Sequence, residues 1–169
     1  MPLQSWQKTK MPSRWIVHQR EPKAFLESIV EMTCKAVNVP VSMISVVTED
    51  RHDIRFSYGF RSSWFNSDEI PMSHSFCKHV TAMGRPLVVR DALAHPLVRN
   101  SPAVSDLGLV AYLGEPLHDH SGKSVGCFSV FDHRARDWSE NQRRMISINA
   151  MLVEKALNWP DGVSDMPVN

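Results

Sequence analysis

The chain has 169 residues, 43% of them apolar, and a formal net charge of +1. That is one domain's worth of chain with ample material for a core, and too little charge to draw it to nucleic acid or an anionic membrane. No run of about 18 apolar residues is present to span a bilayer, and the basic amino terminus lacks the apolar stretch of a secretory signal. Three widely spaced cysteines, Cys34, Cys77 and Cys127, make no disulfide framework, so a reducing cytoplasm is the expected compartment.

Residues 1–20, with two prolines and the isolated Trp6 and Trp15, read as a loose arm. Pro22 suits a first helical position. Phe25, Leu26, Ile29, Val30, Thr33, Ala36 and Val37 then recur at helical spacing, which predicts an amphipathic helix over 22–37 ended by Val39-Pro40. Residues 41–47 predict a strand with Val41, Met43, Ser45 and Val47 on one face and Ser42, Ile44 and Val46 on the other. After a charged turn at 49–51, Ile54, Phe56 and Tyr58 alternate with Arg55 and Ser57, predicting a second strand that ends at Gly59. Residues 60–72 are irregular, and their embedded Trp64 and Phe65 suit a lid or pocket wall.

Ser73 is the expected N-cap of a short helix carrying Phe76, Cys77, Val80 and Met83 and closed by Gly84. Residues 86–91 predict a third strand, and the prolyl stretch 92–108 one or two helical turns. Residues 109–132 predict a long hairpin: two arms rich in β-branched, aromatic and aliphatic residues, joined by a polar turn with Gly122. The second arm, 125–131, is apolar almost throughout, as a central strand covered on both faces should be. Ser139 followed by Gln142 is a capping-box pattern. It opens a helix over 139–158 with Met145, Ile148, Asn149, Leu152, Ala156 and Leu157 as the expected inner stripe. Residues 159–169 read as a disordered tail. Antiparallel strands with long helices at both ends predict an α+β domain over 21–158.

Six segments resemble the GAF domain family: VPVSMISVVTEDR, SHSFCKHV, RPLVVRDALAHPLVRNSP, GEPL, SGKSVGCFSVFD and WSENQRRMI. They occur in the family's order and cover roughly residues 22 to 158. The resemblance implies a GAF-like (profilin-like) antiparallel sheet of five or six strands, with the N- and C-terminal helices together on one face and short helices and loops over a pocket on the other. It also implies a sensory or regulatory role in signalling, without catalysis, binding a small molecule of unspecified identity. No kinase, cyclase or helix-turn-helix segment is visible to serve as the output.

The candidate pocket residues are Phe56, Tyr58, Trp64, Phe65, Phe76, Cys77, His79, Tyr112, Ser129 and Phe131: aromatic walls with a few polar groups, suited to a small planar or amphipathic ligand. His74, Cys77 and His79 invite a metal reading. At 100° per residue, steps of three and five residues turn about 300° and about 500°, so His79 points nearly opposite Cys77 and one helix cannot aim all three at one ion. A two-ligand site would need His118 or His120. Cys77 near a helix start is also a candidate reactive thiol. The resemblance includes a branch that reduces free methionine sulfoxide, but Cys34 on a helix and Cys127 on a core strand depart from that branch's cysteine set. LVRNSP resembles the attachment region of bilin-binding relatives, yet Asn100-Ser101 stands where a cysteine is needed and Cys77 is followed directly by Lys78.

His118 and His120 sit in a turn, where a solvated role is expected. Arg134, Arg136, Arg143 and Arg144, offset by Asp132, Asp137 and Glu140, read as a solvated face. No phosphate-binding glycine loop or zinc-protease motif is present. The expectation is therefore a cytoplasmic sensor that binds an unidentified small molecule, pairs as a homodimer through helices 22–37 and 139–158, and engages neither nucleic acid nor membrane. A thiol-dependent small-molecule reductase using Cys77 and an interaction module with a closed pocket are the alternatives.

Overall fold

The computed structural model describes residues 22–61 and 68–157. The expected arm and tail, and Trp64 and Phe65, lie outside the described residues. The elements are α1 (Pro22–Val37), β1 (Val41–Val47), β2 (His52–Tyr58), β3 (Glu69–Ile70), a 3-10 turn at Met72–His74, α2 (Cys77–Met83), β4 (Leu87–Val89), a 3-10 turn at Ala92–Ala94, α3 (Ala103–Leu107), β5 (Ala111–His118), β6 (Ser124–Asp132) and α4 (Glu140–Leu157). The strands form one sheet in the order β3-β2-β1-β6-β5-β4, and every pairing is antiparallel. The α+β architecture and the hairpin stand as expected. The two-residue β3 lies inside the stretch read as irregular.

α1 stops one residue before the expected breaker. Asn38 takes a left-handed conformation with φ of 58°, and the Val39 amide donates back to the Cys34 carbonyl at 3.1 Å. That is a Schellman ending with Asn in place of Gly, tolerated because the short polar side chain suffers little in this conformation.

Both faces of the sheet are covered. On one, Leu26, Ile29, Val30 and Val37 of α1 and Ile146, Ala150, Val153 and Leu157 of α4 pack against Ile44, Val46, Leu113, Phe128 and Val130. Each such buried side chain contributes about 1.5–3 kcal/mol relative to exposure. Asn149 Nδ2 donates to Thr33 Oγ1 at 3.0 Å, tying the two helices together. The capping box is formed: the Ser139 amide donates to Gln142 Oε1 at 3.0 Å and the Gln142 amide to Ser139 Oγ at 3.1 Å. The inner stripe of α4 is corrected. Leu157 is buried, Ala156 packs on the core and Asn149 faces α1 as expected, but Met145, Ile148 and Leu152 are exposed while Ile146, Ala150 and Val153 are buried, because apolar residues lie on two faces of this helix.

The arginine cluster is not uniformly solvated. Arg136 donates to the carbonyls of Val37 (3.0 Å) and Asn38 (2.9 Å) and to Asp132 Oδ2 (3.0 Å), with its guanidinium 4.8 Å from the Trp138 ring centroid. It caps the carboxyl end of α1 from the segment leading into α4. Trp138 Nε1 donates to the Val89 carbonyl at 2.9 Å and pins that segment to edge strand β4.

On the other face, α2, the 92–107 segment and the 3-10 turns cover Met43, Val47, Ile54, Tyr112, Cys127 and Phe131. Here β2 departs from the expected alternation. The pairing runs Ile44 with Phe56 but Ser45 with Ile54, so Arg55 is an extra, bulged residue. The bulge reverses the parity: Ile54 faces α2, while Phe56 packs on the face of the terminal helices.

Candidate functional site

α2 lies over the centre of the sheet, and its first residue, Cys77, is 1% exposed. Ser75, not Ser73, serves the start of this helix: the Lys78 amide donates to Ser75 Oγ at 3.0 Å. Ser75 Oγ also lies 2.8 Å from His52 Nδ1. Which of the two donates depends on the histidine tautomer. His52 is 1% exposed. It lines a small chamber with Met43, Ile70, His74, Phe76, Cys77, Leu107, Leu109, Tyr112 and Phe131, with a volume of about 10 Å³, room for about one water molecule.

Tyr112 supplies the other polar wall. Its hydroxyl oxygen lies 3.2 Å from Cys77 Sγ and 3.3 Å from Cys127 Sγ. The register explains how residues 50 apart meet. On β6, Cys127 and Ser129 project from the same face as Phe131, opposite Pro116, Gly114 and Tyr112 of β5. Ser129 Oγ is 3.8 Å from Cys77 Sγ, and Phe76 packs edge-on against Tyr112 with centroids 5.3 Å apart. Cys127 was read as a core strand residue remote from Cys77; the pleat instead places it against the same phenol.

The electrostatics divide the two thiols. Burial alone would push Cys77 up. The hydrogen bond from Cys127, the charge interaction and hydrogen bond with His52 and the hydrogen bond from Tyr112 outweigh it and hold this thiol well below its ordinary value. Cys127 is pushed well above its ordinary value, first by burial and then by its hydrogen bond and charge interaction with Cys77. Tyr112 is also raised well above its usual range, by burial and then by the two sulfurs. The arrangement is one thiolate-favouring sulfur surrounded by donors.

The rim is closed by a second histidine. His74 lies in the 3-10 turn and not on a helix with Cys77, as had been expected. Its Nε2 donates to Asp106 Oδ2 at 2.7 Å, and its Nδ1 lies 2.8 Å from Ser73 Oγ, so the turn is tied to α3. His79 is half-buried and outside the chamber lining, its pKa lowered by burial and then by Lys78 and His95. His118 is engaged far from the chamber, with Glu154 of α4 at 3.2 Å, so it completes no site with Cys77. Among the described residues no group of three or more His, Cys, Asp or Glu side chains is arranged to hold a metal ion.

Of the expected pocket residues, Phe76, Cys77, Tyr112 and Phe131 line the chamber and Ser129 touches Cys77. Phe56 and Tyr58 stand on the opposite face, displaced there by the Arg55 bulge. His52 was missed because it follows a charged turn. Extending the alternation of Ile54 back by two residues is the signal that points to it.

The sequence matches the family model described as GAF domain over residues 21–157. No curated protein has a significantly similar sequence. Among solved structures, the GAF domain of a phosphoenolpyruvate-protein phosphotransferase from Acinetobacter superposes with a TM-score of 0.67 at 16% identity, over 86% of this chain and 87% of that one. The free methionine-R-sulfoxide reductase of Neisseria meningitidis gives 0.65 at 18% identity, over 85% and 83%. A domain of a putative two-component sensor histidine kinase from Sinorhizobium meliloti gives 0.65 at 14% identity, over 84% and 94%. At these identities the likenesses show the fold. The match over residues 21–157 and the shared architecture place the chain in the GAF domain family.

Proposed function

We propose that the chain is a regulatory domain whose input arrives in the chamber between the sheet and α2, and that it turns over no substrate. The observation that carries this reading is the chamber beneath α2, where His52, Cys77 and Tyr112 come together. One water's volume admits only a very small molecule, so a larger ligand would have to select a conformation with α2 raised. It would shift that equilibrium only by its difference in affinity for the two states. Native mass spectrometry of freshly purified protein tests the reading. A small molecule retained in the folded protein and lost on denaturation is expected. A bare chain, with an α2 whose amide exchange no small molecule alters, would point to the closed interaction module instead.

A thiol-dependent reductase acting through Cys77 is the second reading, favoured by the donors around that sulfur. The space is smaller than a substrate of amino-acid size, so this reading too requires α2 to rise. Turnover of an oxidised small molecule by the parent protein, lost in Cys77→Ser, would put it first.

We place the output on the terminal helices and the domain in the cytoplasm, where its three unpaired buried cysteines suit a reducing medium. The outer faces of α1 and α4 expose Met32, Met145, Ile148, Met151 and Leu152, which supports a homodimer formed by packing these helices in a bundle. Sedimentation as a dimer, shifted to monomer by Ile148→Glu, is expected. A monomer at high protein concentration removes the dimer.

A further inference from the structure

The reading of the chamber as an input site leaves open what it receives, and the sulfur chemistry narrows it. We propose that the input is hydrogen peroxide, with Cys77 as the attacking thiol and Cys127 as the resolving thiol of a disulfide. Three observations converge on this. The two sulfurs both touch the Tyr112 hydroxyl, at 3.2 and 3.3 Å. They lie on different elements, Cys77 at the first turn of α2 and Cys127 on the central strand β6. The space beside Cys77 has a volume of about 10 Å³ and is lined by His52 and Tyr112.

The chemistry balances within the chamber. The Cys77 thiolate attacks one peroxide oxygen and the O–O bond breaks. The departing hydroxide takes the Tyr112 hydroxyl proton, replaced from the Cys127 thiol that touches the same oxygen, and leaves as water. Cys77 is then a sulfenic acid and Cys127 a thiolate. Cys127 attacks the Cys77 sulfur, the S–O bond breaks, and the second hydroxide leaves as water with the proton that Cys77 first gave up. Two thiols supply two electrons and two protons, and one peroxide becomes two waters. The depressed pKa of Cys77 and the raised pKa of Cys127 fit these two roles.

The same geometry makes oxidation a mechanical event. The two sulfurs are now unbonded thiols, and a disulfide must draw them to about 2.05 Å. Cys127 is fixed in the middle of the sheet, so the movement falls on the start of α2 and on the Tyr112 ring, against which Phe76 packs.

The test uses the intact, fully reduced protein. Stoichiometric hydrogen peroxide is expected to lower the intact mass by about 2 Da and to link the Cys77 and Cys127 peptides in a non-reducing digest, with Cys34 left free. Cumene hydroperoxide, too bulky for the chamber, is expected to react at least roughly tenfold more slowly. Cys127→Ser should stop at the sulfenic acid, about 16 Da heavier and trapped by dimedone. The linkage is sought in the parent protein, so the proposal does not depend on that variant folding. Linkage through Cys34, or thiols that resist peroxide until the protein is denatured, overturns the assignment. Amide exchange of α2 separates the two levels. A Cys77–Cys127 disulfide that leaves α2 unchanged keeps the chemistry and ends the input reading. A retained small molecule that moves α2 without any disulfide keeps the input reading and ends the peroxide assignment.

Discussion

The Tyr112 ring lies back along its own strand over Gly114, and this is what brings its hydroxyl to the two sulfurs. A Cβ at Gly114 would come within 2.8 Å of two ring carbons of Tyr112 and closer still to the hydroxyl. No real side chain tolerates that approach, so the absence of one at Gly114 is a packing requirement of the site. The two residues share a strand face, and the aromatic ring covers the gap left by the glycine.

Gly114→Ala therefore acts on the site through the phenol. The added methyl is expected to destabilise the domain by about 1–3 kcal/mol through overpacking, and to push the Tyr112 hydroxyl away from Cys77 and Cys127. With a donor lost, the Cys77 pKa should rise toward the ordinary thiol value. Thermal unfolding measures the first effect, and thiolate absorbance against pH the second. Tyr112→Phe should raise the Cys77 pKa without the overpacking, so the two variants separate the donor from the clash.

The cysteines also give stability a pH dependence of two signs. Cys77 is held below its ordinary value, so between that lowered value and the ordinary one near 9.0 the unfolded chain binds more protons than the folded one. Its contribution is complete above the ordinary value and is lost as pH falls through the folded one. Cys34 does the reverse. Burial pushes it to about 12, so above about pH 9 the unfolded chain releases a proton that the folded chain keeps, and stability falls as pH rises. Urea unfolding is expected to show stability increasing up to about pH 9 and declining beyond. Cys77→Ser should flatten the rising limb, and Cys34→Ala should make the falling one shallower without removing it, because Cys127 and Tyr112 are raised as well.

Arg136 carries a third prediction. Its guanidinium joins the end of α1, Asp132 and Trp138, and its side chain is only 16% exposed. Arg136→Ala removes the closer cation from the buried Asp132 carboxylate, which keeps the His133 amide and Arg134 at 3.7 Å, and takes a donor from two helix-end carbonyls; it is expected to cost about 1–3 kcal/mol. Lysine should not rescue it, because one ammonium cannot reproduce the planar fork that reaches carboxylate and carbonyls together. If chemical denaturation shows Arg136→Lys near the parent, charge alone suffices and the fork is unnecessary.

What could be read from the sequence was local. The hairpin, the capping box of Ser139 and Gln142 and the glycine end of α2 each depend on residues near one another in the chain, and each stands where periodicity and turn chemistry put it. What could not be read depends on partners far away. Arg55 looks like the outward residue of an alternating strand, and only the pairing with Ile44 and Ser45 reveals it as the bulge that turns Phe56 to the other side. Arg136 looks like one of four surface cations until the end of α1 arrives beneath it. Cys127 looks inert on its strand, and becomes a neighbour of Cys77 only when α2 folds back over β6. His52 needed just one more step of alternation, but the charged turn before it concealed the start of the strand.

The bulge makes the two faces of the sheet separable by experiment. Phe56 is half-buried beneath the terminal helices and Phe131 is 3% exposed beside Tyr112, although the sequence alone assigns both to one pocket. Phe131→Ala should cost about 3–5 kcal/mol and leave a cavity continuous with the chamber. If chamber size is what excludes bulky oxidants, that variant should oxidise with cumene hydroperoxide markedly faster than the parent protein, while its reaction with hydrogen peroxide changes little. Phe56→Ala removes less buried surface on the far side of the sheet. It should cost less stability and leave both oxidation rates where they were. Equal acceleration in the two variants would mean that general loosening, and not the space beside Cys77, sets the selectivity. Comparison at temperatures equally far below each variant's unfolding midpoint distinguishes the two explanations, because only loosening is removed by that correction.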